Sequence, residues 1–112
     1  MEKIYNKLVR DNIPEIIRQD NCNPITRTLS DTDYKKALEK KLLEEYQEVI
    51  EATTSKERIE ELADMLEIIQ TLAKLENKTL VDVEEVANQK RLKRGGFEKK
   101  VFLEKVTDDN QL

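Results

Sequence analysis

Two long segments of the sequence, residues 34–52 and 59–76, repeat their apolar side chains at helical spacing, and this pattern constrains the fold more than any other feature. Drawn on a helical wheel at about 100° per residue, each segment gathers its apolar residues into one broad arc. Charged residues make up 39% of the chain and aromatic residues only 4%, which is typical of amphipathic helices and unusual for a β-sandwich. We therefore expect an all-α fold built around two long helices.

Capping signals mark where these two helices begin. Ser30 with Asp33 three residues later is an acidic form of the capping box, and it opens a helix that runs to about residue 52. Thr54 with Glu57 opens the next helix, which runs to about residue 76. The short interval between them predicts a tight turn that makes the two helices antiparallel.

A shorter helix is predicted before the hairpin. Residues 14–19 place Pro14 in the first helical turn, where its missing N–H costs nothing, and Asp11 or Asn12 is in position to cap it. A turn-rich stretch follows and ends the helix.

The rest of the chain predicts one more helix and two short strands. Thr79 with Asp82 begins the helix, and Gly95 with the glycine after it is the expected left-handed C-cap. Residues 25–29 and 101–103 are candidates for short strands that can pair. We expect a single domain over residues 1–112 that resembles a four-helix bundle with short, marginal β segments.

The chain contains no histidine, and its single cysteine, Cys22, cannot form an internal disulfide. Without imidazole, Ser-His-Asp and Cys-His catalysis and nearly all zinc sites are excluded. Any chemistry must therefore come from carboxylates, basic groups and a metal that prefers oxygen ligands.

Charge and hydropathy narrow the choice of partners. The net charge is −4, so the overall charge does not favour a nucleic acid polymer, although residues 90–100 are locally basic. No apolar run approaches the roughly 20 residues that a membrane helix needs, and the first residues lack the apolar core of a signal peptide. We expect a cytoplasmic protein with no membrane partner.

Four acidic side chains occupy unusual positions on the two long helices. On the wheel, Glu45 and Glu48 fall inside the apolar arc of the first helix, while Glu61 and Asp64 lie in and beside that of the second. An ionised carboxylate that faces a core is costly unless a positive charge compensates it. The hairpin can bring the two pairs face to face as the all-oxygen site that Mg²⁺ or Mn²⁺ prefers. Alternatively, Lys41 can neutralise one glutamate, because it projects between the first two.

The order and spacing of these acids resemble a known signature. Residues 44–48 read EEYQE and residues 61–64 read ELAD, which resembles the EExxE and ExxD motifs of the all-α nucleoside triphosphate pyrophosphatases, the MazG-like and dimeric dUTPase superfamily. Residues 7–17 (KLVRDNIPEII), 61–67 (ELADMLE) and 90–97 (KRLKRGGF) look like its phosphoribosyl-ATP pyrophosphohydrolase-like branch. The likeness extends over nearly the whole chain.

The resemblance implies an activity and a role for each acid. It implies a metal-dependent hydrolase that cuts a nucleoside triphosphate into monophosphate and pyrophosphate, with the removal of unwanted nucleotides as its broader role. Water activated by the metal or by a glutamate would attack phosphorus in line. The implied ligands of Mg²⁺, for which Mn²⁺ can substitute, are Glu45, Glu48, Glu61 and Asp64. Glu44 and Glu48 are the candidate catalytic carboxylates, and for Glu44 the roles of ligand, base and solvated neighbour all stay open.

A triphosphate site also needs cations to hold the phosphates and stabilise the leaving group. The candidate substrate-binding residues form two clusters: Lys7 and Arg10 near the beginning of the chain, and Lys90, Arg91 and Arg94 in the last turns of the final helix. Alternatively, the first cluster is an ion-paired helix entrance, and the second only complements a helix dipole, which is worth less than about 1 kcal/mol.

The second long helix is apolar around well over half of its circumference, which is more than one neighbouring helix can cover. We therefore expect a homodimer or a higher homo-oligomer. Two other functions stay open: a phosphoribosyl-ATP pyrophosphohydrolase, and a non-catalytic helical interaction module in which basic groups pair with the acids.

Overall fold

The computed structural model describes residues 1–108 and contains four helices in that range. They are α1 Ile13–Gln19, α2 Asp31–Glu51, α3 Ser55–Leu75 and α4 Leu80–Arg94. The all-α prediction is confirmed. The chain divides into two compact units, Met1–Thr79 with α1 to α3 and a second that begins at Leu80 with α4. The single domain over residues 1–112 stays a prediction, and its last four residues lie outside the described range.

The two predicted strands do not form, and this part of the prediction is wrong. Residues 25–29 and 101–103 are irregular, and residues 1–108 contain no strand. Alternating β-branched residues were the only signal, and most of the large apolar side chains in the two segments, such as Ile25 and Phe102, are exposed. An isolated two-stranded pair is at best marginally stable in water, so these segments lack the apolar support that a sheet requires.

The long helices begin at the predicted caps. The Ser30 hydroxyl accepts a hydrogen bond from the backbone N–H of Asp33 at 3.2 Å, and the Thr54 hydroxyl accepts one from that of Glu57 at 3.1 Å. The Glu57 carboxylate in turn accepts one from the backbone N–H of Thr53 at 3.1 Å. These bonds satisfy N–H groups that have no partner within a helix. The turn between α2 and α3 consists of three residues.

The other helix ends agree with the sequence in most details. α4 ends at Arg94, and Gly95 adopts the predicted left-handed conformation, with φ of 84° and its N–H donating to the carbonyl of Arg91. Asn12 is at the N-cap of α1, but its side chain makes no capping hydrogen bond. Asn77, two residues after the last residue of α3, adopts the left-handed conformation with φ of 59°, which the sequence analysis did not predict.

Packing in the first unit is dominated by α2 against α3. The apolar side chains that are buried within residues 1–108 are few: Leu38 from α2, and Ile68 and Ala73 from α3. Several large apolar side chains of the hairpin stay exposed, so one chain leaves much of this surface uncovered. Within the same range, no helix is both long enough and apolar enough to cross a membrane.

Candidate functional site

Three carboxylates meet between α2 and α3. Glu45 comes from α2 and Glu61 and Asp64 from α3, and one oxygen of each lies within 4.8 Å of the others. The hairpin explains the meeting, because Glu45 and Glu61 are each eight residues from Thr53 in the turn. At about 1.5 Å per residue, both lie about 12 Å along their helices from that turn, at the same level. We refer to Glu45, Glu61 and Asp64 as the acidic cage.

The acidic cage is partly buried, and two of its buried oxygens lack hydrogen-bond partners. Glu45 is only 7% exposed, while Glu61 and Asp64 are half-buried. One buried oxygen of Glu45 and one of Glu61, the Oε2 atom in each case, have no hydrogen-bond partner. A buried polar atom without a partner costs about 1 to 3 kcal/mol. The cage therefore suits a cation or a hydrogen-bond donor that contacts carboxylates of both helices.

The acids perturb one another in the way that close carboxylates do. Burial, and then the neighbouring Glu48, raise the pKa of Glu45. The pKa of Glu61 rises to about 7, chiefly because its protonated form donates a hydrogen bond to Glu48, with burial as the second cause. In the absence of a cation, a proton shared among these groups thus relieves part of the repulsion.

Glu48 lies at the edge of the acidic cage. Its side chain is exposed, yet it interacts with Glu61 and Glu45, and its role as a fourth metal ligand stays a prediction. Glu48 is three residues nearer the turn than Glu45, and Asp64 is three residues farther from the turn than Glu61. Glu48 and Asp64 are therefore about 9 Å apart along the hairpin. Hydrogen bonds from Glu61 and then Glu45, with the charges of Lys41 and Lys7, lower the pKa of Glu48.

Glu44, the other candidate catalytic carboxylate, is half-buried on α2 and is not part of the cage. The alternative partner, Lys41, affects the pKa of Glu48, but in the described part of the chain it forms no ion pair with either glutamate. The cage is therefore not neutralised by Lys41.

Arg10 forms the contact that the sequence analysis missed. Its Nη2 atom donates to Oδ1 of Asp64 at 2.7 Å, across 54 positions of the chain. Lys7 comes from the same irregular segment and is close enough to lower the pKa of Glu48. Arg10 is therefore ion-paired, but with α3 rather than at the entrance of α1, and its role in substrate binding stays a prediction. No sequence pattern reveals the pair, because a contact at this separation depends on how the segment crosses the hairpin.

The second basic cluster lies in the second unit. Lys90, Arg91 and Arg94 are all exposed near the end of α4. Arg91 is 3.8 Å from a carboxylate oxygen of Glu98, and both side chains are largely exposed, so this pair holds Arg91 only weakly. Their role in substrate binding stays a prediction.

A shallow pocket of about 180 Å³ opens beside the acidic cage, toward the turn of the hairpin. Its lining residues are almost all acidic: Glu48, Glu51, Ala52, Glu57 and Glu61. Such a lining repels a phosphate unless a cation intervenes. The oxygen donors of the cage and the partnerless Oε2 atoms fit a hard divalent cation such as Mg²⁺ or Mn²⁺, and Glu45, Glu61 and Asp64 are the residues that would hold it.

Comparisons with known proteins identify a family and a relative that match parts of the chain. The family model of the MazG nucleotide pyrophosphohydrolase domain matches residues 34–102, which is more than half of the chain. An uncharacterized protein of Mycolicibacterium smegmatis is 52% identical over 48 residues, or 43% of this chain and 49% of that protein. The match thus spans about half the length of this relative. No solved structure matches the chain.

Proposed function

The chain belongs to the MazG nucleotide pyrophosphohydrolase domain family, and from that premise we propose that it hydrolyses a nucleoside triphosphate to the monophosphate and pyrophosphate with Mg²⁺ as its cofactor. Mn²⁺ can substitute, because it has the same preference for oxygen ligands. The observation that carries this proposal is the acidic cage, with three carboxylate oxygens within 4.8 Å and two buried oxygens without partners.

Each acid has a distinct part in the proposal. Glu45, Glu61 and Asp64 hold the cation, which when bound supplies charge to stabilise the phosphates in the transition state. Hydrogen bonds with Glu61 and Glu45 lower the pKa of Glu48, which favours its charged form, and its side chain is exposed at the edge of the pocket. It is therefore available as a fourth ligand or as the group that orients water. Glu44 is the second candidate for orienting water.

The phosphates need further positive charge, since one divalent cation does not balance both the acids and a triphosphate. Lys7 and Arg10 are in the unit that carries the cage, where they interact with Glu48 and Asp64. Lys90, Arg91 and Arg94 of the second unit are exposed, and they remain proposed phosphate-binding residues. Arginine and lysine at such positions form charge-assisted hydrogen bonds to phosphate oxygens.

We also propose that the protein functions as a homodimer. Ile59, Leu62 and Leu66 lie on one face of α3 at helical spacing, and each is more than 40% exposed in the single chain. A second copy of the hairpin would cover this apolar face. Light scattering should then give a mass of about twice the 13.2 kDa of one chain, while a monomeric mass would contradict the dimer.

The proposed reaction is tested by product analysis. The purified chain is incubated with a panel of ribonucleoside and deoxyribonucleoside triphosphates in Mg²⁺, and pyrophosphate is measured separately from orthophosphate. We expect pyrophosphate and the monophosphate in equal amounts, with EDTA abolishing both and Mn²⁺ restoring them.

Other outcomes identify the alternatives. Turnover of phosphoribosyl-ATP alone would assign the chain to that more restricted reaction. No turnover, together with no effect of Mg²⁺ on the melting temperature, would leave the non-catalytic interaction module as the better account.

A further inference from the structure

The ion pair between Arg10 and Asp64 joins the irregular first segment of the chain to the acidic cage. The distance of 2.7 Å is that of a charge-assisted hydrogen bond. The two side chains are 56% and 43% exposed, so the pair is in contact with water on at least one side. An exposed pair of this kind adds little stability and separates easily.

The guanidinium of Arg10 binds the carboxylate of Asp64, as a divalent cation in the cage would. Asp64 is one of the three carboxylates whose oxygens converge within 4.8 Å, so a divalent cation in the cage would lie close to the guanidinium. The two positive groups compete for the same carboxylate and repel each other. Arginine binds phosphate oxygens as readily as it binds carboxylates, with the same planar fork of donors.

We propose that Arg10 is a phosphate-binding residue that Asp64 holds until a divalent cation enters the cage, and that cation binding releases Arg10 to the triphosphate. The inference rests on the proposed function, because it assumes that the cage binds the cation of a nucleotide hydrolase. It adds a link between the two ligands: the cation exchanges with Arg10 on Asp64, and the freed guanidinium moves to the phosphates.

The surroundings of Arg10 fit such an exchange. Residues 1–10 contain no helix or strand, and the carbonyl of Arg10 accepts a hydrogen bond from the N–H of Ile13 at the start of α1, so the exchange requires movement of the Arg10 side chain only. Lys7 is on the same segment and interacts with Glu48 at the edge of the acidic pocket. A movement of Arg10 away from Asp64 therefore stays beside the place where the phosphates are expected.

The principal alternative makes Arg10 a positioning residue. In that account Arg10 stays bound to Oδ1 of Asp64 and holds the carboxylate so that its other oxygen faces the cation. The two accounts predict opposite effects of Arg10→Ala on cation binding. If Arg10 competes with the cation for Asp64, Arg10→Ala tightens cation binding. If Arg10 positions Asp64, the same substitution weakens cation binding.

The test measures cation binding without nucleotide. Isothermal titration calorimetry with Mn²⁺ is carried out on the full-length wild type, Arg10→Ala and Arg10→Gln. Arg18→Ala is the matched control, since Arg18 forms an exposed ion pair with Glu15 at 3.3 Å that does not involve the cage. We expect the Arg10 variants to bind Mn²⁺ about 1.5- to 5-fold more tightly, the range for removing an exposed ion pair, and the control to bind as wild type does.

A second titration uses a non-hydrolysable triphosphate at saturating Mn²⁺. Its affinity should fall about 10- to 150-fold in the Arg10 variants, the effect of losing a hydrogen bond to a charged group. Weaker or unchanged Mn²⁺ binding in both Arg10 variants overturns this inference and leaves the proposed function intact. Absence of Mn²⁺ binding in wild type and all variants overturns the proposed function itself.

Discussion

Glu45→Gln is expected to separate a metal-binding cage from a structural cluster of ion pairs. The substitution keeps the size of the side chain and removes one negative charge. Glu45 is 7% exposed, its Oε2 atom has no hydrogen-bond partner, and its pKa is raised by burial and by Glu48. Without metal, this charge opposes folding, so its removal should leave the protein at least as stable as wild type.

The magnitude follows from the distances in the cage. Oxygens of Glu45 and Asp64 lie within 4.8 Å, and two full charges at that separation repel by about 3 kcal/mol at an effective dielectric of about 20. Arg10 offsets part of the charge on Asp64, whose side chain is also 43% exposed, so about 1 kcal/mol is a better figure. The new amide needs partners of its own, which reduces the gain further. We expect the metal-free variant to be about 0 to 1 kcal/mol more stable.

The assay is urea unfolding at pH 8, first in EDTA and then in Mg²⁺. Wild type should gain about 2.7 kcal/mol when Mg²⁺ is present at 100 times its dissociation constant, because the ion binds only the folded chain. Glu45→Gln should gain much less, since one ligand has lost its charge. Glu39→Gln is the matched control: Glu39 is exposed on the same helix, and this variant should behave as wild type in both conditions.

Two results would refute this reasoning. If a buried cation holds Glu45, the metal-free variant should lose about 3 to 5 kcal/mol, because that cation is left without its partner. If Mg²⁺ stabilises Glu45→Gln as much as it stabilises wild type, the cation does not bind at Glu45.

Three further predictions use other parts of the molecule. In the metal-free protein the pKa of Glu45 is raised and that of Glu61 rises from 4.5 to about 7, so the folded chain binds more protons than the unfolded chain in this range. The melting temperature in EDTA should therefore fall as the pH rises from about 5 to 8, and saturating Mg²⁺ should suppress the fall; a melting temperature that rises over this interval in EDTA contradicts the assignment. The double variant with Lys90→Ala and Arg94→Ala should raise KM or lower kcat for the triphosphate while changing the free energy of unfolding by less than about 0.5 kcal/mol, and unchanged kinetics would leave these residues only a helix-dipole role. Ser30→Ala should cost about 1 kcal/mol of stability in urea unfolding with no change in Mn²⁺ affinity, and an unchanged stability would show that the cap hydrogen bond contributes nothing.

The helices were predictable because their signals are local. Ser30 and Thr54 each bond a backbone N–H three residues ahead, and Gly95 adopts the left-handed conformation after the last turn of α4. These interactions depend on a few consecutive residues, so the sequence contains all that is needed to place them. Strand pairing depends on distant segments and on an apolar layer, and this explains why residues 25–29 were assigned wrongly.

The candidate site was predictable only to the extent that the hairpin sets its register. Glu45 and Glu61 lie at equal distances from Thr53, and this equality follows from the helix bounds. The side chain of Glu48 is exposed although the helical wheel places it inside the apolar arc. The position of Arg10 depends on the path of an irregular segment, which no periodicity describes.

On the two proposals made above, two groups take the place of a divalent cation in the metal-free protein, and both leave when the cation binds. The first is the proton that Glu61 retains up to about pH 7, and the second is the guanidinium of Arg10 on Asp64. Carboxylate ligands bind metal as anions, so the proton is released, and Arg10 is displaced by a charge of the same sign on the proposal made above. A triphosphate without metal would meet the acidic pocket that includes Glu48 and would be repelled. The cation lowers that repulsion and frees Arg10 in a single event, and from this we expect the nucleotide to bind after the metal or together with it.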